Sequence, residues 1–194
     1  MYRAQTEGQP ALDGLRLKYL QQDRDNYYRF LYYLVLEYKP QVAIEIGVDF
    51  GIASAHLVEA AKSYGGLVVG IDILRKRYSE IRKLERGDNY IFLHASSVSM
   101  GTIDYLKTLA PIGLVYQDSS HHYLESKREW DLISPLCQPG AIWLCDDITP
   151  AFHDPLIDPP GKGMCQYFEE IPRPHKKLYQ DVLHYGNCQG IVIL

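Results

Sequence analysis

The sequence is short of what marks a secreted scaffold, a membrane protein or a nucleic-acid binder. Its four cysteines, Cys137, Cys145, Cys165 and Cys188, form no CxxC pair and lack the close spacing of a zinc site. They read as reduced, buried small hydrophobes of a cytoplasmic protein. Met1 to Pro10 is polar, so no secretory signal is expected, and no apolar run approaches the roughly 18 residues of a membrane span. Basic residues are too few as well: 20 Lys and Arg against 24 Asp and Glu leave a net charge of -4. A nucleic-acid backbone as main partner needs the opposite balance. Repeats and low-complexity tracts are absent. What is present is 46% hydrophobic side chains over 194 residues, enough for the core of one compact domain. Tyrosine is in excess at 16, and seven of these (Tyr2, Tyr19, Tyr27, Tyr28, Tyr32, Tyr33 and Tyr38) fall in the first 38 residues.

Residues 1–22 carry Gly8, Pro10 and Gly14 with few apolar anchors and read as an arm. Over Asp23 to Tyr38, apolar residues recur three and four apart (Tyr27, Phe30, Leu31, Leu34, Val35, Tyr38), which predicts a helix stopped by Pro40. Residues 1–40 thus form an arm and helix ahead of a domain over 41–194. Within that domain, short β-rich runs (Val42 to Ile46, Leu67 to Ile71, Tyr90 to His94, Ile112 to Gln117, Ala141 to Cys145) alternate with helical stretches near Ile52 to Ser63, Arg75 to Glu85, Met100 to Leu109 and His122 to Leu136. Strands apolar on both faces and separated by helices predict a doubly wound α/β fold on a mostly parallel sheet. After a loop rich in Pro, Gly and Asp (Asp147 to Gly163) and a short helix around Met164 to Glu170, two strand candidates, Lys177 to Tyr185 and Gln189 to Leu194, predict an antiparallel hairpin at the sheet edge, seven strands in all.

In such a sheet ligands bind beyond the carboxyl ends of the strands. The first strand runs into Glu45-Ile46-Gly47-Val48-Asp49-Phe50-Gly51, whose glycines permit a sharp turn and close approach of a ligand. The spacing is not the G-x-G-x-x-G of a pyrophosphate binder, and Glu45 would repel phosphate, so a ligand with a cationic amino group suits it better. A plain tight turn reads equally from the glycines alone. Asp72, ending the second strand, can accept from both hydroxyls of a ribose, which leaves NAD and S-adenosylmethionine both open; it could also serve as a helix cap. Ser96, after the third strand, could line an adenine pocket. Asp118 after the fourth strand and Asp146-Asp147 after the fifth bring three carboxylates to one rim. Like charges so close raise one another's pKa, and a hard divalent cation such as Mg²⁺ relieves them. His121, three residues after Asp118, is placed to act as a base there; the adjacent His122 is the weaker candidate.

In this order the residues resemble the class I S-adenosylmethionine-dependent methyltransferases. The chain looks most like the branch holding macrocin and mycinamicin sugar O-methyltransferases and cephalosporin hydroxylase-like proteins, and more distantly like catechol O-methyltransferase. The resemblance runs from Gln41 to Leu194. It rests on Glu45-Ile46-Gly47 with Gly51, on Asp118-x-x-His121-x-Tyr123 with Trp130-Asp131-Leu132 and Pro139-Gly140, and on Asp146-Asp147. It implies a Rossmann-like fold, with Glu45, Gly47 and Gly51 around the methionine part of the cofactor and Asp72 at the ribose. It further implies Asp118, Asp146 and Asp147 around Mg²⁺, His121 as base, and O-methylation of a small hydroxylated molecule such as a sugar or polyol. Ser96 departs from the Asp that many relatives carry, and Ala53 from their Ser. The competing readings are a nicotinamide-dependent oxidoreductase and a non-catalytic cofactor-binding subunit. Of the N-terminal tyrosines, Tyr27 and Tyr38 fall on the apolar helix face and read as core, whereas Tyr28 and Tyr32 lie off it and would suit an acceptor or a homo-oligomer interface.

Overall fold

A computed structural model describes residues 28–74, 79–149, 154–179 and 188–194. The predicted arm 1–22, the helical turn 23–27, residues 75–78 and the stretch 180–187 lie outside the described residues.

The elements are α1 (Arg29–Tyr38), β1 (Val42–Ile46), α2 (Ile52–Lys62), β2 (Leu67–Asp72), α3 (Ser79–Leu84), β3 (Tyr90–His94), α4 (Met100–Leu109), β4 (Ile112–Gln117), α5 (Tyr123–Ile133), β5 (Cys137–Cys145), α6 (Met164–Glu170), β6 (His175–Tyr179) and β7 (Cys188–Ile193). Their α/β alternation is the predicted one. The strand order is β3-β2-β1-β4-β5-β7-β6. The first five are parallel, while β7 runs antiparallel to both β5 and β6. The order reverses between β1 and β4.

Strand alternation sends successive side chains to opposite faces, and each face meets helices. On one side Ala43, Val68, Leu114, Ile142 and Leu144 pack with Leu31, Leu34 and Val35 of α1 and Leu57 and Val58 of α2. On the other, Ile44, Val69, Val115 and Trp143 pack with Ile103 and Leu106 of α4, Trp130 and Ile133 of α5, and Phe168 of α6. Trp130 meets Trp143 edge to face with ring centroids 4.9 Å apart. No disulfide joins Cys137, Cys145 or Cys165. No helix of the described residues is long and apolar enough to cross a membrane.

Several boundaries differ from expectation, and β6 begins at His175 rather than Lys177. Strand β5 begins at Cys137 rather than Ala141: Cys137 already pairs with Ile112, and the exposed residues Gln138, Pro139 and Gly140 (φ 80°) interrupt the register before pairing resumes at Ile142. Helix α5 gives way at Ser134 to a 3-10 turn, since Pro135 cannot donate to an α-helical ladder. Cys188, expected in the turn, belongs to β7.

Gly190 of β7 faces Phe168: a Cβ there would stand 2.3 Å from the ring and 2.7 Å from Ile148. Gly190→Ala is therefore expected to cost about 1 to 3 kcal/mol through overpacking. Gly101→Ala, in α4 with nothing within 4 Å, should instead gain roughly 0.4 to 1 kcal/mol by restricting the unfolded chain. Urea midpoints of the two variants should move in opposite directions.

Candidate active site

The strand order reverses at β1 and β4, so their carboxyl ends frame a crevice. Gly47 leaves β1 with φ 87° and donates its amide to the Ile71 carbonyl at 2.9 Å, while the Asp118 amide donates to Ile46 at 2.8 Å. A Cβ on Gly47 would lie 1.9 Å from the Asp118 carbonyl oxygen. Thus the glycine is required by the loop after β4, where the sequence suggested approach of a ligand. Gly51, φ 80°, opens α2 and faces the Ile81 side chain.

Glu45 is only 1% exposed, and its carboxylate takes the hydroxyl of Ser54 from α2; that oxygen lies 3.2 Å from the Tyr90 hydroxyl. Burial pushes Glu45 well above the usual carboxylate range, with the charges of Asp118 and Asp72 adding and Ser54 opposing. A cationic ligand group would reverse that shift. Asp72 is held tightly by backbone: Oδ2 accepts from Val48 at 2.9 Å and Asp49 at 3.0 Å, and Oδ1 from Leu74 at 2.7 Å. It therefore shapes the glycine loop from the neighbouring strand. Ser96 is partly buried, and its carbonyl accepts the Thr102 hydroxyl at 2.8 Å. The buried serine is the next one, Ser97, bonded to Glu129 at 2.6 Å.

Asp118, His121, Asp146 and Asp147 do converge. The Tyr116 hydroxyl lies between two acids, 3.0 Å from Asp146 Oδ2 and 3.2 Å from Asp118 Oδ2. His121 Nε2 lies 3.5 Å from Asp118 Oδ1 and 3.7 Å from Asp147 Oδ2. Burial, with the charge of Asp147 second, raises Asp118 to about 7 and Asp146 to about 8; burial raises Asp147 to about 6. Burial and then His122 lower His121 to about 4, so its imidazole is neutral at neutral pH. His121 and Asp147 both adopt left-handed backbone, φ 58° and 51°, a strain that side chains other than glycine adopt sparingly.

Nothing in the sequence analysis selected Tyr116, although it precedes Asp118 by two residues and strand alternation puts both on one side. Tyr28, singled out by its helical position as suited to an acceptor or an interface, lies near the acids. Its ring centroid is 6.1 Å from that of His56, and burial, then Asp118, Glu45 and Asp147, raise its phenol. Tyr28 and Tyr32 pack partly buried against the core of α1 and α2, where the helix pattern had placed them off the apolar face.

His122 and Tyr123 anchor a clasp. Asp158 accepts the Tyr123 amide at 2.7 Å and the Asp154 amide at 3.0 Å, with His122 Nδ1 3.5 Å away. Lys162 donates to the Tyr123 hydroxyl and to Glu170, each at 3.0 Å, and lies 4.6 Å from the Tyr123 ring centroid. Segment 154–162 is thereby fastened to the start of α5.

Three carboxylates and a phenol are hard oxygen donors, and Asp147 Oδ1 is buried without a hydrogen-bond partner. That chemistry fits a divalent cation. Among the described residues, however, no three His, Cys, Asp or Glu side chains already stand as a closed ligand set.

Among solved structures, the chain is similar to an O-methyltransferase from Bacillus cereus in complex with S-adenosylhomocysteine (20% identity, 100% of this chain and 93% of that one, TM-score 0.65). It is also similar to the O-methyltransferase TomG from Streptomyces achromogenes in complex with S-adenosylmethionine (18%, 98% and 91%, TM-score 0.63). A third is the S-adenosylhomocysteine-bound Podospora anserina methyltransferase PaMTH1 (15%, 100% and 90%, TM-score 0.60). Likeness at this identity shows the fold. No curated protein matches the sequence. The family model described as a methyltransferase domain matches residues 44–148, from within β1 to just past the acid pair. That span is more than half of the chain and holds Glu45, Asp72, Asp118, His121, Asp146 and Asp147 together: the protein belongs to the methyltransferase-domain family, on the class I fold.

Proposed function

We propose that the protein transfers a methyl group from S-adenosylmethionine to a hydroxyl of a small molecule such as a sugar or polyol. The observation that carries this is the convergence of His121 with Asp118, Asp146 and Asp147 at one strand-order reversal, with a buried Glu45 on the neighbouring strand β1. Bound S-adenosylmethionine and S-adenosylhomocysteine in the related structures support the choice of donor.

Glu45 would receive the amino group of the cofactor, whose positive charge favours the carboxylate. Asp72 Oδ2 already accepts two backbone amides, whereas Oδ1 accepts one and keeps a lone pair for a ribose hydroxyl. His121, neutral and facing the acids, would take the proton of the acceptor hydroxyl through Nε2. Most of the acceleration would come from holding oxygen, methyl carbon and sulfur in line, which is the gain from orientation. Asp118, Asp146 and Asp147 would hold Mg²⁺, whose positive charge lowers the pKa of a nearby hydroxyl.

The test is titration calorimetry with S-adenosylmethionine, S-adenosylhomocysteine and NAD, with and without Mg²⁺, on wild type and Asp146→Asn. Both sulfur compounds should bind and NAD should not; Mg²⁺ should change the wild-type isotherm but not that of the variant. NAD binding without either sulfur compound would overturn the reading in favour of an oxidoreductase.

A further inference from the structure

Glu129 lies in the middle of α5, 1% exposed, with no cation among its partners. Its carboxylate instead gathers three neutral donors. Oε1 accepts the Ser97 hydroxyl at 2.6 Å, and Oε2 accepts the Gln117 amide at 2.8 Å and the Ser119 hydroxyl at 2.9 Å. Ser97 belongs to the loop after β3, and Ser119 follows Asp118 in the loop after β4. Gln117 is itself saturated, its carbonyl oxygen receiving Trp143 Nε1 and the Tyr167 hydroxyl, each at 3.0 Å. A single buried acid therefore ties together two loops that rim the crevice and the strand end between them. Burying a carboxylate without a counter-cation is costly, and a simple core position would be filled more cheaply by an apolar residue.

We propose that Glu129 is a positioning residue for the methyl-transfer site, fixing the loops after β3 and β4 in the spacing that the cofactor requires. This rests on the function proposed above. Glutamine is the informative replacement, because its amide nitrogen cannot accept: at the Oε1 position it makes the Ser97 hydroxyl turn from donor to acceptor, and at the Oε2 position it opposes the Gln117 amide, which has no such freedom. Either outcome disturbs the tie between the two loops, and the effect is read as a loss of affinity for S-adenosylhomocysteine.

The experiment measures affinity for S-adenosylhomocysteine by calorimetry and thermal midpoint for wild type, Glu129→Gln, Ser97→Ala, Ser119→Ala and Ser126→Ala. Glu129→Gln should weaken binding at least tenfold. The two milder serine variants keep the test open if Glu129→Gln folds poorly, and each should weaken binding by several-fold. Ser126, also buried on α5 but bonded to Met164 at 3.3 Å, should lower the midpoint and leave affinity unchanged. If the Glu129, Ser97 and Ser119 variants lose thermal stability yet bind as wild type does, the role is purely structural and the proposal fails. If wild type does not bind S-adenosylhomocysteine, the cofactor assignment fails first and takes this inference with it.

Discussion

Gly47→Ala is expected to destabilise the fold by about 2 to 5 kcal/mol and to abolish binding of S-adenosylhomocysteine. Two penalties add at this residue. A left-handed backbone costs a residue with a Cβ about 1 to 2 kcal/mol, and overpacking adds about 1 to 3 kcal/mol. The second penalty is hard to relieve, since the atom 1.9 Å away is the Asp118 carbonyl oxygen, on a segment whose amide is bonded to Ile46. Separating the two loops would also displace the Val48 and Asp49 amides from Asp72. Gly51 provides the contrast: its Cβ would meet Ile81 Cγ1 at 2.8 Å, a side-chain atom that can move, so Gly51→Ala should cost less. A urea midpoint for Gly47→Ala within 0.5 kcal/mol of wild type would contradict this account.

The second large effect concerns chemistry alone. His121→Ala should lower methyl transfer by about two to four orders of magnitude, the usual contribution of a positioned base. Affinity for S-adenosylhomocysteine should stay within about twofold of wild type, because the ring faces Asp118 and Asp147 and not Glu45 or Asp72. Release of S-adenosylhomocysteine from S-adenosylmethionine, assayed across a panel of catechols, sugars and polyols, identifies an acceptor and then reads the loss. His121→Gly refines the result: it relieves the φ of 58° and should be at least as stable as the alanine variant, yet equally slow. Wild-type turnover in either variant would remove His121 as the base.

The parts of the fold visible in the sequence were those written in local pattern. Val42 to Ile46 and Ile112 to Gln117 are apolar on both faces, so their burial between helices follows from the residues themselves. Acids at strand ends were equally legible, because a parallel sheet brings all such ends to one rim. What escaped depends on register. Ser54, Gln117 and Glu129 look like ordinary residues of helix or strand until α2 and α5 are laid on the sheet at a particular height. The turn at Gly47 was legible, but its contact with the β4 loop was not, since a sequence does not say that the two loops pass so close. The start of β5 was missed because Pro139 and Gly140 favour turns and do break the register; only the isolated pairing of Cys137 with Ile112 extends the strand backwards.

The clasp built on Asp158 and Lys162 gives the rim of the crevice a mechanical linkage. His122 and Tyr123, which it grips, follow His121 directly in the chain, and His121 already holds an uncommon backbone geometry. Any tug on segment 154–162 is thus delivered one peptide away from the imidazole, bypassing the rigid sheet. Residues 154–162 are thus tied to the two residues that follow the proposed base.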